Sequence, residues 1–173
     1  MSVSSKESRS SGTFGLEGVN AGGPVIEVRC AGDFKGVYAR REIGAESVIL
    51  RLQGVLKAEA DRYSVQLGRN RHLNMPAGEM EPAADTFLWR FLNHSCEPNG
   101  YVSCGDSTFR ALRRIEGGEE VTFNYLMTEF DMASPFECRC GSADCFGLIR
   151  GYRHLTAGQR DRLGAGIAPH LLG

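Results

Sequence analysis

Three of the six cysteines in this 173-residue chain crowd into one short run, Cys138-Arg-Cys-Gly-Ser-Ala-Asp-Cys145, and no other feature constrains the fold as much. An even cysteine count fits either a disulfide framework in a secreted protein or a metal site in an intracellular one. Residues 1–23 contain no apolar stretch of the kind that directs secretion, so a reducing compartment, cytoplasmic or nuclear, is expected. In that setting the C-x-C-x4-C spacing reads as metal ligation. Zn²⁺ takes four tetrahedral ligands and accepts thiolates readily, so the run supplies three and a fourth must come from elsewhere in the chain. The metal would then tie this segment to a part of the fold distant in sequence.

The formal charge of −1 gives no basic face for releasing phosphate counterions, which argues against a nucleic-acid partner. No stretch approaches the roughly 18 apolar residues of a membrane span, so no membrane partner is expected either. With 42% hydrophobic and 24% charged residues, the chain has the composition of one globular domain. Residues 1–23, rich in Ser and Gly, are expected to form a flexible lead-in. Strands are predicted at 25–30, 36–43, 47–56, 63–67 and 72–74, from β-branched and aromatic residues between turn signals. A loop is expected at 75–85 and a short helix at 86–93, ending at Asn93. Residues 101–104 and 107–115 form a hairpin around Gly105-Asp106, with Phe109, Ala111 and Arg113 on one alternating face. Gly117-Gly118 turns into a strand over 119–125, and Thr156 caps a short C-terminal helical turn that stops before Gly164. There is no internal repeat. Many short strands with little helix give a mainly β class, neither alternating βα units nor an even sandwich.

Two further motifs precede the cysteine run: Arg90-Phe-Leu-Asn-His-Ser-Cys-Glu-Pro-Asn99 and Glu120-Val-Thr-Phe-Asn-Tyr125. In this order and spacing the three resemble the SET-domain lysine methyltransferases, the cysteine run being similar to that family's post-SET zinc element. The resemblance covers about residues 24–152. It implies a SET-domain fold of several small twisted sheets, in which the NHSC segment passes under the one ending in TFNY as a pseudoknot, an exception to the usual absence of threaded chains. It divides the chain into a SET domain at 24–130, a post-SET segment at 134–152 and a short helical tail at 153–173.

The resemblance also assigns residues. Cys96 becomes the fourth zinc ligand beside Cys138, Cys140 and Cys145, in one structural Zn²⁺ site, while Cys30 and Cys104 are left as small buried hydrophobes. Asn93 and His94 are implied contacts to S-adenosylmethionine. The segment Gly32-Asp-Phe-Lys-Gly-Val-Tyr-Ala39 sits where the family has a Gly-x-Gly turn. Here Phe34 replaces the first glycine and Gly36 keeps the second, so backbone groups of Phe34, Lys35 and Gly36 are implied cofactor contacts. Tyr63 and Phe123 are implied to line a lysine channel, and Phe136, Phe146 or Leu148 to form an apolar wall over the adenine.

Tyr125 corresponds to the family's catalytic tyrosine, which also touches the cofactor. A lysine ammonium is not a nucleophile, and deprotonating it at pH 7.4 costs about 4 kcal/mol from a reference pKa of about 10.4. A neighbouring sulfonium and an apolar channel both lower that cost. The tyrosine's work is then to position amine and methyl group. Phe123 stands at the family's phenylalanine/tyrosine switch, where phenylalanine leaves room for a second or third methyl group. The function implied is methyl transfer from S-adenosylmethionine to the ε-amine of a protein lysine, to the di- or trimethyl state. Rivals are a catalytically silent SET module that binds peptides and an enzyme acting on a non-histone or small-molecule amine. Four thiolates around one divalent ion add net negative charge, which favours a basic substrate segment such as a histone tail.

Overall fold

A computed structural model describes residues 23–32, 34–77 and 86–173. The expected lead-in at 1–23 lies outside the described residues except for Gly23, as does most of the expected loop at 75–85. In chain order the strands are β1 (Ile26–Ala31), β2 (Phe34–Ala39), β3 (Val48–Arg51), β4 (Val55–Lys57), β5 (Val65–Gly68), β6 (Arg71–Asn74), β7 (Asn93–His94), β8 (Gly100–Ser103), β9 (Thr108–Ala111), β10 (Glu120–Phe123), β11 (Phe136–Glu137) and β12 (Leu148–Ile149). The single α-helical turn among the described residues is α1 (Ala157–Asp161). Four small sheets result, ordered β1-β2-β10-β7, β3-β9-β8, β4-β6-β5 and β11-β12. The mainly β class with several small sheets is thus as the sequence implied.

Several expected elements are shorter, each for a local reason. The expected strand over 47–56 is two strands, because β3 pairs with β9 while β4 leaves for β6 in another sheet. The strand expected at 36–43 stops at Ala39, and Ile43 only bridges to Ile115. The helix expected over 86–93 is a 3-10 turn, Leu88–Phe91, with no side-chain cap; Trp89 anchors it, buried, with Nε1 donating to the Gln53 carbonyl at 2.9 Å. Asn93 is therefore not a helix end but the first residue of a strand. On β9, Phe109 and Ala111 share the buried face, but the strand ends there, and exposed Arg113 turns away to pair with Glu119 at 2.6 Å. Tyr125 lies beyond β10, in a 3-10 turn (Tyr125–Met127) that the Asn124 side chain caps by accepting from Leu126 N–H at 3.1 Å. Thr156 caps α1 as expected, in a reciprocal pair with Gln159: Gln159 N–H donates to Thr156 Oγ1 at 3.2 Å and Thr156 N–H to Gln159 Oε1 at 2.9 Å.

The buried side chains form two clusters. The larger sits among the sheets around Val37, Phe109, Ile115, Val121 and Phe123. The smaller joins the C-terminal segments through Leu126, Phe146, Ile149, Tyr152, Leu163 and Leu171. Tyr125 and Cys104 pack against both, so Tyr125 stands on the seam. The smaller cluster is closed by backbone pairing between residues 129–132 and 150–153: Met132 N–H donates to Arg150 O at 3.0 Å, Tyr152 N–H to Glu129 O at 2.8 Å and Arg153 N–H to Phe130 O at 3.0 Å. Gly151 makes this approach possible. Its φ is +112°, and a Cβ there would lie 2.7 Å from the Phe130 carbonyl oxygen and 2.8 Å from Asp131 Cα. Gly151→Ala should therefore lower unfolding stability by about 2–4 kcal/mol, from the disfavoured φ together with the backbone clash. Gly158→Ala, in α1 with open space around it, should be neutral or stabilising by up to about 1 kcal/mol. Urea midpoints of the two variants against the parent check this, and equal midpoints would show that the 129–132/150–153 pairing does not depend on Gly151.

Candidate functional site

The site is organised by a parallel pairing between segments far apart in sequence: Thr122 pairs with Asn93 and Phe123 with His94, and Ser95 N–H donates to Phe123 O at 3.0 Å. Side chains fasten the two segments together. Asn99, 2% exposed, donates from Nδ2 to Glu119 Oε1 at 2.9 Å and to Glu120 O at 2.7 Å, and its Oδ1 accepts from Thr122 N–H at 2.9 Å. A buried amide with this set of bonds is a structural clamp.

Asn93 Nδ2 donates to Lys35 O at 2.9 Å and to Glu120 Oε1 at 2.8 Å, joining the β2 hairpin to the same junction. Gly36 allows the closeness: a Cβ there would lie 2.6 Å from Glu120 Oε1 and 3.1 Å from Asn93 Nδ2. The structure thus brings together Lys35, Gly36 and Asn93 from the expected cofactor set. The Lys35 carbonyl is spent within the protein, and Phe34 is 53% exposed.

His94 faces inward. Its Nδ1 accepts from Tyr125 N–H at 3.2 Å and its Nε2 lies 3.4 Å from Cys96 Sγ. Burial pushes its pKa down to about 4, so the ring is neutral near pH 7, and the bond from Tyr125 assigns the single proton to Nε2, aimed at the sulfur. Both ring nitrogens are engaged internally.

Beside it, the thiols of Cys96, Cys138, Cys140 and Cys145 all lie within 4.8 Å of one another. Sulfurs at the corners of a tetrahedron with Zn–S bonds of about 2.3 Å stand about 3.8 Å apart. Cys96 Sγ is 3.8 Å from Cys138 Sγ and 3.9 Å from Cys145 Sγ, so the set fits Zn²⁺. Burial pushes the Cys96 thiol pKa up, a cost that a bound cation removes. Cys104 is half-buried between the two clusters, but Cys30 is exposed, contrary to the expectation for it. β1 is the outer strand of its sheet, and its last three residues, Cys30 among them, lie on the exposed hairpin tip.

Tyr125 is held at both ends. Its hydroxyl donates to Leu92 O at 2.8 Å, and its ring meets His94 edge-on at 5.2 Å and Phe123 at 4.7 Å between centroids. Burial pushes the phenol pKa up, so it is a neutral hydrogen-bond donor and not a phenolate base. Phe136 stands edge-on to both His94 (5.6 Å) and Tyr125 (6.0 Å), whereas Leu148, paired with Glu137 across β11-β12, is 49% exposed and Phe146 is buried in the smaller cluster. Of the three candidates for an apolar wall, Phe136 is the one brought to His94 and Tyr125.

An open cavity adjoins Tyr125. Tyr63, Trp89, Leu92, Phe123, Tyr125 and Glu129 are among its lining residues, so the two residues expected to form a channel meet the expected catalytic tyrosine in one space. Tyr63 stands at the rim, 57% exposed, with the Arg90 guanidinium 5.4 Å from its ring centre. Glu129 was not visible as a site residue in the sequence. A single acid in Leu-Met-Thr-Glu-Phe carries no spacing signal, and only its burial marks it. Burial pushes its carboxyl pKa up to about 7, against the downward pull of hydrogen bonds from Gln66 N–H and Thr128.

That shift has a stability consequence with a definite sign. The ordinary value is 4.5, so the penalty for burying the ionised carboxylate is absent below about pH 4.5, grows as pH rises through about 7, and is constant above, at about 3 kcal/mol. Glu129→Gln should therefore be more stable than the parent at pH 8, with the gain shrinking towards zero at pH 4.5, measured by paired urea melts. A gain independent of pH would show that Glu129 does not titrate abnormally.

A family model described as "SET domain" matches residues 35–126. A protein of Aspergillus flavus named "Methyltransferase flvH" is 42% identical over 71 residues, 39% of this chain and 39% of its own length. A "Histone-lysine N-methyltransferase, H3 lysine-36 specific" of Eremothecium gossypii is 35% identical over 130 residues, 67% of this chain and 19% of that protein. The chain thus matches well under half the length of these curated relatives. Among solved structures, KRYPTONITE in complex with mCHG DNA and SAH shares the fold at a TM-score of 0.53, with 24% identity over 71% of this chain and 28% of that chain. The family match, the paired NHSC and EVTF segments and the four-cysteine cluster agree: the chain belongs to the SET-domain family.

Proposed function

We propose that the protein transfers methyl groups from S-adenosylmethionine to the ε-amine of a lysine in a protein substrate. The observation that carries this reading is Tyr125: a neutral phenol, fixed to the Leu92 carbonyl, on the wall of an aromatic cavity at the junction of the two paired segments. S-adenosylmethionine supplies an electrophilic methyl group on a sulfonium. The chain's own residues supply position. Lys35, Gly36, Asn93 and the His94 main chain form the cradle for it, with Phe34 and Leu148 at its exposed margins and Phe136 as an apolar neighbour. Tyr125 and the Leu92 carbonyl orient the amine, and Tyr63 and Phe123 flank the lysine stem. Phe123, buried and edge-on to Phe109 at 5.8 Å, carries no hydroxyl to hold a crowding water, which favours di- or trimethyl products.

Histone H3 is the first substrate to test, because several similar proteins carry names specific to H3 lysine 36 and a structural neighbour was solved with an H3(1–15) peptide. A nuclear location accords with that substrate, and no helix among the described residues is long and apolar enough to cross a membrane. A small-molecule or non-histone amine is the second reading, supported by the flvH match, whose printed name specifies no histone. Isotope-labelled methyl transfer to H3, a cell lysate and free lysine, read by mass spectrometry, decides among them. Labelled di- or trimethyllysine is expected, with Tyr125→Phe slowing turnover about a hundredfold or more. Label in none of the three substrates would refute methyl transfer, and monomethyl product alone at long times would refute the role given to Phe123.

The four thiolates would hold one structural Zn²⁺ with no position left for water. His94 Nε2–H would then donate to a metal-bound sulfur, fixing the ring that accepts from Tyr125 N–H. Metal analysis should give about one zinc per chain, and Cys138→Ser should lose the metal and lower the melting temperature. Metal-free protein with an unchanged melting temperature would exclude a zinc staple.

A further inference from the structure

Glu129 lines the cavity beside Tyr125, yet methyl transfer as described gives it no work. Its side chain is 7% exposed, and its backbone N–H donates to the Tyr125 carbonyl at 2.9 Å, which fixes its place relative to the phenol. Gln66 N–H at 2.8 Å and Thr128 Oγ1 at 3.2 Å both donate to the same carboxylate oxygen, Oε1. Among the described residues none donates to Oε2, and no Lys, Arg or His forms an ion pair with Glu129. Glu129 is one of the residues that border the cavity.

A carboxylate in an apolar setting with no cation beside it is costly, and such a group is kept where a ligand completes it. The two arginines of the cavity are engaged with rings: Arg62 with Tyr63, and Arg90 with Tyr63 and Phe91. The rest of the wall includes Tyr63, Trp89, Phe123 and Tyr125. Aromatic faces around one buried carboxylate make a receptor for an alkylammonium ion, the rings attracting the cation and the carboxylate accepting its N–H. The upward shift of the Glu129 pKa by burial accords with this, because an arriving cation favours the ionised form.

We propose that Glu129 is the anionic anchor of the substrate ammonium, Oε2 accepting a hydrogen bond from the target –NH3⁺ as it enters and so selecting substrates that arrive as cations. This rests on the methyl-transfer reading and adds to it a specificity-determining residue. Glu129→Gln is the test, since the amide keeps an acceptor for Gln66 and Thr128 and removes only the charge. In steady-state methyl transfer by the full chain, the variant should raise KM for the amine substrate at least tenfold while kcat changes less than threefold. An unchanged KM overturns the proposal, and so does a fall in kcat alone.

A second measurement needs no variant and no turnover. n-Butylammonium, which carries the four methylenes of a lysine side chain, and neutral 1-butanol are each titrated into the parent protein by NMR. The ammonium should bind at least tenfold more tightly, and equal binding overturns the anchor even if Glu129→Gln fails to fold. Absence of methyl transfer in the parent with charge-selective binding retained would sink the enzymatic reading and leave the cation site standing.

Discussion

The parallel contact between Asn93-His94 and Thr122-Phe123 is the constraint from which the rest of the site follows. Two residues on each side make a weak ladder by themselves, and parallel pairing is slightly less stable per residue than antiparallel. Side-chain amides make up the difference. Asn99 satisfies groups on both sides of the β10 start, and Asn93 reaches across to the Lys35 carbonyl. Because these bonds are directional and those of Asn99 are partly buried, losing one partner leaves another unsatisfied, so the junction holds one geometry. That geometry sets the distance between the β2 turn, the NHSC segment and the 3-10 turn carrying Tyr125.

His94 then connects this junction to the cysteine cluster. Its ring lies between the Tyr125 backbone and Cys96, with Phe136 edge-on beside it. His94 and Phe136 both stand between the thiols and the phenol, so the order of the C-terminal segment bears on the pose of Tyr125 through packing and one pair of hydrogen bonds. The larger hydrophobic cluster supports Tyr125 from one side and the smaller from the other. A residue on such a seam is positioned by both halves.

What could be read from the sequence followed the strength of its local signals. Alternation of β-branched and aromatic residues marked most strands, and the spacing of Cys138, Cys140 and Cys145 marked the cluster. The motifs placed Asn93, His94, Phe123 and Tyr125 near one another, where the structure also places them. Strand ends depart from the sequence pattern where a chain changes sheet, as between Arg51 and Val55, because the residues on either side have the same propensity and only the tertiary partner differs. Cys30 looked like a core residue by type but falls on an exposed hairpin tip. Glu129 has no sequence signal and Asn99 is marked only as the end of its motif, because their importance lies in what surrounds them: one acid and one amide gain meaning only when the wall or the clamp is assembled.

The β8-β9 hairpin lies within the stretch of chain separating β7 from β10, its strands in register from Gly100–Ala111 to Ser103–Thr108. Bringing His94 to Phe123 means closing that whole stretch, and closure entropy rises with the length of free chain. A hairpin forms fast from local contacts and takes its own residues out of the free length before the distant strands meet. Its tight packing, with a Cβ on Gly100 destined to lie 2.4 Å from the Phe109 ring, therefore bears on the order of folding events as well as on final stability. The hairpin shortens the path along which the two halves of the site find each other.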